Sequence, residues 1–495
     1  LKKVVWLMGK NKKKIHITYK AYGAAQRVTG SASLYTIKVN EKETKILVDL
    51  GAIQDGKFST KQLFDMNKID FDMNDIEYVL LTHAHLDHCM NLTQLPRVDF
   101  NGTIYCTALT QEIMEHITFD GVKIHASTAE YLNKSSKSKI YPYMDMRSRE
   151  KMLSFVRGYD LDRWINIDEN IRFKFIGAGH VSGAASVILE VKDGYERECI
   201  FISGDTSGGR DIPFTKALDL EREKYSFTTM QLESTYADNY IPQKEDHVII
   251  EELYELVNQT CKIAKGIALI PAFSFARSTN IFLYLKKMYE KYNELSEFPV
   301  YGISPLMSKC HKSIGQNPEF YDKKWMGEMD LFSWDKLIMI TDYDDMVRII
   351  NEAKPCIIVS SSGMGVKGMN SFILPKIVSG RKNSVSFTGY LAAGTEGYKL
   401  INKEQKTITS MIDGKKYTAH VRAKLQNISG LSSHCSGQEI IEQILKTEKK
   451  KVKNIVLVHG DKERCDGFKR MLEDVYSGYS VNIHVPRIGQ TIKLT

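Results

Sequence analysis

Apolar and polar positions along the 495 residues change rhythm twice. Residues 15–19 and 32–39 alternate apolar with polar, which predicts strands with one buried face. Between them, 23–31 is a glycine-punctuated loop. Residues 46–51 read as a buried strand that ends in Asp49 and Gly51, and 78–81 as a continuous apolar run of the same kind. A further strand is predicted at 102–106, with a helix from about Thr110. Residues 120–165 are rich in Lys, Tyr, Met and Arg with weak periodicity, and predict an insertion of loop and helix. Strands resume at 171–176 and 199–202.

From about residue 240 strands alternate with helices. Helical spacing covers 249–257 and 277–292, and strand-like runs fall at 266–271, 300–303, 338–340 and 356–360. That alternation predicts a mainly parallel α/β unit. The loops after its strands carry Ser360-Ser361-Ser362-Gly363, then Thr388-Gly389-Tyr390, then Gly394-Thr395. Hydroxyls and free N–H groups at the carboxyl ends of parallel strands suit phosphate oxygens. A strand at 454–458 and a helix after Ser436 close the chain; Ser436 and Glu439 form a capping box.

The chemistry sits where strands end. Tyr78-Val79-Leu80-Leu81 runs into Thr82-His83-Ala84-His85-Leu86-Asp87-His88, three histidines and an aspartate within six positions. Imidazoles and carboxylates gathered so closely are a ligand set for zinc or a related divalent ion, and burying them without a cation would be costly. The same order recurs as strand then His180, strand then Asp205, and strand then His459. His434 lies just ahead of the capped helix. Asp49 ends the strand before the cluster and is placed to orient a ligand loop.

Composition sets bounds. A chain of 495 residues exceeds one core and predicts two or three domains. A net charge of +8 accommodates a polyanionic substrate without requiring one. Eight scattered cysteines without a CxxC pair suggest reduced thiols in a cytoplasmic protein rather than disulfides or a thiolate zinc site. No apolar run is long enough to span a membrane, and the apolar residues 4–8 are too few for a secretory signal. Leu1 stands where an initiator methionine is expected. The run Lys449-Lys450-Lys451 reads as a solvated helix end.

Taken together, Asp49, His83–His88, His180 and Asp205 resemble the first four motifs of the metallo-β-lactamase fold. Glu233-Ser234-Thr235-Tyr236, His434 and His459 resemble the three further motifs of its β-CASP nuclease branch. Pro271 through Arg277, Ser304-Pro305-Leu306 and the Ser361–Gly363 and Gly389 loops extend the likeness over essentially the whole chain. It looks most like short prokaryotic relatives of the endonuclease subunit of the cleavage and polyadenylation specificity factor. The resemblance implies an αββα sandwich interrupted by a β-CASP domain: residues 1–237 and 432–495 for the sandwich, 238–431 for the insertion.

It also implies two zinc ions per chain. His83, His85 and His180 would hold one; Asp87, His88 and His459 the other; Asp205 would bridge them. A hydroxide between the ions would attack a phosphodiester of single-stranded RNA. His434 would act as general acid or phosphate contact, oriented by Glu233. Ser360, Ser361, Ser362, Gly363, Arg277, Gly389 and Thr395 would bind substrate. Departures from the family pattern are Gln26-Arg27-Val28-Thr29-Gly30 in the first loop, Leu391 and Ala393 after Gly389-Tyr390, and Asp461 after His459-Gly460. The lack of a leading KH-type module or trailing domain points away from the long archaeal cleavage factor and the RNase J type.

The expected function is a zinc-dependent ribonuclease, endonucleolytic with 5′→3′ exonuclease activity left open. Alternatives are a DNA nuclease of the same branch, a non-catalytic RNA-processing scaffold, and a small-molecule hydrolase of the same fold. His459 at the last motif favours RNA over DNA, the complete ligand set argues against a scaffold, and the long insertion argues against a small substrate. Oligomeric state is open, a homo-oligomer included.

Overall fold

A computed structural model describes residues 15–134, 136, 138–238, 244–389, 391, 394–412 and 415–495. Two seven-stranded sheets stack with helices outside them. The first runs in the order Thr491–Lys493, Ile15–Ala21, Ser33–Val39, Lys42–Val48, Tyr78–Leu80, Thr103–Thr107, Val156–Tyr159. The second runs Asn482–His484, Asn454–Val458, Thr229–Glu233, Glu196–Ile202, Ala185–Asp193, Ile171–Gly177, Trp164–Asn166.

The predicted alternation explains the stacking. Ile15, Ile17, Tyr19, Tyr35 and Ile37 point inward from the first sheet and meet Phe173, Phe175, Val187, Leu189 and Val456 from the second. The Tyr35 hydroxyl donates to Gln231 Oε1 across this dry core at 2.8 Å, satisfying two polar groups that burial would otherwise penalise. Leu109, Ile113, Met114 and Ile117 of helix Ala108–Asn133 cover the outer face of the first sheet. Helices Gly437–Leu445 and Lys462–Val475 cover that of the second. The architecture is an αββα sandwich.

The third sheet is parallel throughout, in the order Leu337–Ile340, Val300–Ile303, Cys356–Ser360, Ile267–Pro271, Ser384–Phe387, Lys424–Asn427. The chain then returns to the sandwich. Asn454–Val458 pairs in parallel with Thr229–Glu233 inside the second sheet, and Thr491–Lys493 adds to the edge of the first.

Some elements depart from expectation. Residues 120–165 are more than loop and helix: Ala108–Asn133 is one continuous helix, Met146–Ser154 a second, Val156–Tyr159 a strand of the first sheet and Trp164–Asn166 an edge strand of the second. These strands have four and three residues and carry Arg157, Gly158 and Asn166, too little for a period-2 pattern to emerge. The strands Ser384–Phe387 and Lys424–Asn427 and the hairpin Thr407–Ile412 with Lys415–His420 were likewise hidden by polar composition. Tyr390, Ala393 and residues 1–14, with Leu1 and the apolar run 4–8, lie outside the described residues. All eight cysteines are buried and unpaired. No helix among the described residues is long and apolar enough to cross a membrane.

The sandwich fixes the histidine loop through backbone pairing. Leu50 N–H donates to His88 O, Ala52 N–H to Leu86 O and Ser31 N–H to Asp87 O, at 2.9, 2.9 and 2.8 Å. Gly51 lies against that loop so closely that a Cβ would fall 1.6 Å from Asp87 O. Backbone cannot give way as a side chain does. Gly51→Ala should therefore cost about 1–3 kcal/mol of stability, measured by thermal unfolding.

Candidate metal centre

Seven side chains from four strand ends converge. His83, His85, His180 and Asp205 form one set whose donor atoms all lie within 4.8 Å of one another; Asp87, His88 and His459 form another. His85 Nδ1 is 3.0 Å from His83 Nε2 and 3.3 Å from His180 Nε2. His88 Nε2 is 3.2 Å from His459 Nε2, which is 3.6 Å from Asp87 Oδ2. Donors around a tetrahedral zinc at its usual bond lengths lie roughly 3.3 Å apart. Asp205 Oδ2 stands 3.7 Å from His83 and His180 and 3.3 Å from His88, so one carboxylate reaches both sets.

The outward ring nitrogens set the tautomers. His88 Nδ1 donates to Asp49 Oδ2 at 2.7 Å. Thr82 Oγ1 gives its single proton to Asp49 and accepts from His83 Nδ1 at 3.1 Å. Thr235 Oγ1 gives its proton to Glu233 Oε2 at 2.7 Å and accepts from His459 Nδ1 at 3.0 Å. Ser433 Oγ stands 3.2 Å from His180 Nδ1, in place to accept. Each arrangement leaves a lone pair on Nε2, facing inward, as a metal requires.

Electrostatics divide the rings: burial opposes protonation of His88, but the Asp205 and Asp49 carboxylates outweigh it and hold that ring well above the usual imidazole range, so it must release its Nε2 proton to ligate. Burial, reinforced by neighbouring histidines, holds His83 and His180 well below the usual imidazole range; burial holds His85 at about 4. These rings are neutral at pH 7, the form that ligates. Burial works against the Asp205 carboxylate, but His459 and His88 keep it well below its ordinary value. Asp205 Oδ1 is buried without a hydrogen-bond partner among the described residues. His459 Nδ1 stands 3.4 Å from it with its proton directed at Thr235, and a buried, ionised oxygen without a hydrogen bond is strongly disfavoured. The donor set and this orphaned oxygen both fit divalent ions.

His434 lies at the rim, its side chain 21 % exposed, with Nε2 4.0 Å from Asp205 Oδ2. Its Nδ1 donates to Glu233 Oε2 at 2.9 Å. Burial opposes its protonation, but the Glu233 charge and hydrogen bond outweigh that and raise the imidazole to about 9. Glu233 also accepts from Thr206 N–H and the Thr235 hydroxyl, so its oxygens are already engaged. Asp205, Glu233 and His434 thus read as an acid and its orienting group rather than a third metal set.

The predicted substrate residues belong to neither ligand set and follow the carboxyl ends of the parallel strands. Arg277 donates to Thr388 O at 2.5 Å, beside Gly389. Ser361, Ser362 and Gly363 follow the strand Cys356–Ser360, with Gly363 packed on Phe273. Thr395 caps the helix Glu396–Ile401. Ser360 is buried and its hydroxyl donates to Asn370, so that side chain faces the interior. Phe275 links this edge to the centre, its ring 5.5 Å from that of His85. Sequence reasoning passed over Thr82, Thr235 and Ser433 as orienting hydroxyls; the only signal was that Thr82 and Ser433 immediately precede a histidine.

The profile of the metallo-beta-lactamase superfamily matches residues 27–242, that of the Beta-Casp domain residues 279–400, and that of the Zn-dependent metallo-hydrolase RNA specificity domain residues 418–486. Similar proteins include the transcription termination factor FttA of Methanocaldococcus jannaschii, 28% identical over 464 residues, 90% of this chain and 67% of that one. FttA of Methanothermobacter thermautotrophicus is 24% identical over 476 residues, 94% and 70% of the two chains. FttA of Methanococcus maripaludis is 28% identical over 440 residues, 86% and 64%. The chain thus spans about two thirds of the length of these relatives.

Asp49→Asn leaves the shape of the side chain but turns one of its two acceptor positions into a donor, so that either His88 Nδ1–H or Thr82 N–H faces an N–H group. Zinc affinity, read by competition with a chromophoric chelator, should fall about 10–100-fold.

Proposed function

We propose that this chain, which carries metallo-β-lactamase, β-CASP and RNA specificity domains and so belongs to the metal-dependent β-CASP hydrolases, cleaves phosphodiester bonds of single-stranded RNA with two zinc ions. The observation that carries the reading is the pairing of two ligand sets around Asp205 with His434 beside them.

In this reading His83, His85 and His180 hold one ion, Asp87, His88 and His459 the other, and Asp205 serves both. Ions so placed supply Lewis acidity and lower the pKa of water at neutral pH. The rest falls to the protein. Asp49, Thr82, Thr235 and Ser433 keep the ligating rings in their tautomers. His434, charged at pH 7, gives its Nε2 proton to the 3′-oxygen as the P–O bond breaks, and Glu233 holds the ring in line. Arg277, Ser361, Ser362, Gly363, Gly389 and Thr395 receive strand phosphates at the sheet edge; Ser360 contributes backbone only.

We assign residues 1–237 and 432–495 to the hydrolase sandwich and 238–431 to the β-CASP insertion. The RNA specificity match spans both His434 and His459, which supports RNA over DNA. The name shared by the relatives supports a role in ending transcripts.

Zinc-loaded protein should cleave labelled single-stranded RNA faster than matched DNA, lose activity in EDTA and regain it with zinc; faster cleavage of DNA overturns the substrate assignment. His434→Ala should lower kcat about 10²–10⁴-fold while zinc content is unchanged. Glu233→Gln removes the charge that raises His434. Activity needs the protonated ring and is lost as pH rises through its pKa, so this variant's alkaline limb should move to lower pH.

A further inference from the structure

The parallel sheet, numbered by order along the chain, runs third, second, fourth, first, fifth, sixth. From its second strand, Val300–Ile303, the chain leads outward to the third. From its fourth, Cys356–Ser360, it leads the opposite way to the fifth. These strands are neighbours, with Ile303 opposite Ser360. Diverging connections at adjacent carboxyl ends open a crevice, where parallel sheets characteristically bind ligands.

A cavity of about 390 Å³ lies there. Ser304 and Ser361 line it from the sheet, and His116, Phe119 and Lys123 from helix Ala108–Asn133; Lys309 joins them from helix Pro305–Gln316. Three cations gather on one ring: Lys123 Nζ is 4.1 Å, Lys309 Nζ 5.3 Å and Arg149 Cζ 5.5 Å from the Phe119 centroid. An aromatic face attracts cations through its quadrupole but does not neutralise them. Arg149 donates to the Thr118 hydroxyl and the Glu115 carbonyl, both uncharged. Asp120 is the carboxylate in the lining, and burial raises its pKa against the pull of Lys123 and Lys309. His116, 3.2 Å from Ser313 Oγ, is pushed down by burial and by Lys309 and stays neutral. The lining therefore carries two lysines against one half-buried carboxylate, an excess of positive charge.

It adjoins the metal centre by two routes. Gly121, in the same helix, packs on Met90 and Leu86, the latter next to Asp87. Ser304 Oγ is 3.4 Å from Ser274 Oγ, and the neighbouring Phe275 meets His85.

We propose that this cavity holds a phosphate group of the RNA strand remote from the scissile one, between the ammonium groups of Lys123 and Lys309 with the Ser361 hydroxyl beside them. The inference rests on the RNA hydrolase reading. It gives the substrate a second anchor, built jointly by the sandwich and the inserted domain, which fixes where along the strand the metal centre falls.

The test compares zinc-loaded His434→Ala protein with the same protein carrying Lys123→Ala and Lys309→Ala, or Lys123→Arg and Lys309→Arg. Binding of labelled single-stranded RNA is followed across salt concentrations, with matched unfolding temperatures confirming the fold. The alanine pair should flatten the slope of log affinity against log salt by about 1.4, and the arginine pair should restore it. Loss on 5′-hydroxyl and 5′-monophosphate RNA alike assigns an internal phosphate; loss on the monophosphate alone assigns a terminal one; either supports the cavity as a phosphate site. An unchanged slope, or a loss that arginine fails to restore, overturns it while RNA cleavage by the unaltered protein leaves the hydrolase reading standing. Unaltered protein that neither binds nor cleaves RNA overturns both.

Discussion

Inward-facing ring nitrogens 3.0–3.3 Å apart are the constraint on which the rest of this structure depends. Lone pairs brought this close in a buried space repel unless a cation lies among them, and Asp205 adds an ionised oxygen that accepts no hydrogen bond among the described residues. Metal binding is thereby coupled to folding. His83–His88 cannot complete either set alone: one needs His180 from the second sheet and the other His459 from beyond the inserted domain. The return of Asn454–Val458 to the middle of the second sheet is what delivers His459, and Glu233 sits on the adjacent strand in register with Val458.

The same few hydroxyls and carboxylates tie the two candidate ligand sets to His434. Glu233 Oε2 accepts from both Thr235, which orients His459, and His434, which stands over Asp205. A change in either imidazole is felt by the other through one oxygen. The parallel sheet meets this centre edge-on through Phe275, whose ring lies against His85.

Much of the candidate site was legible in the sequence because His83, His180, Asp205 and His459 each follow an apolar strand, while His85, Asp87 and His88 come with His83 in one loop and short helix. That pattern located His83, His180, Asp205 and His459 across 377 positions without a fold in hand. The parallel character of the inserted sheet followed from its alternating strands and helices. Side-chain direction at a strand's last residue did not. Ser360 and Ser361 look equivalent in sequence, yet the pleat turns Ser360 inward onto Asn370. Thr82, Thr235 and Ser433 stayed hidden because a hydroxyl becomes an orienting group only when the fold sets it against a ring nitrogen. The cation cluster on Phe119 stayed hidden because Lys309 comes from a helix nearly two hundred residues from the ring it faces.

The central claim is that these imidazoles and carboxylates, and none of the eight buried cysteines, hold a pair of ions about Asp205. X-ray absorption at the zinc edge of zinc-loaded protein tests it directly. The account predicts nitrogen and oxygen neighbours at about 2.0–2.1 Å, no sulfur, and a metal–metal vector of about 3.5–4 Å. A sulfur shell near ~2.3 Å, or zinc with no second metal nearby, would contradict it.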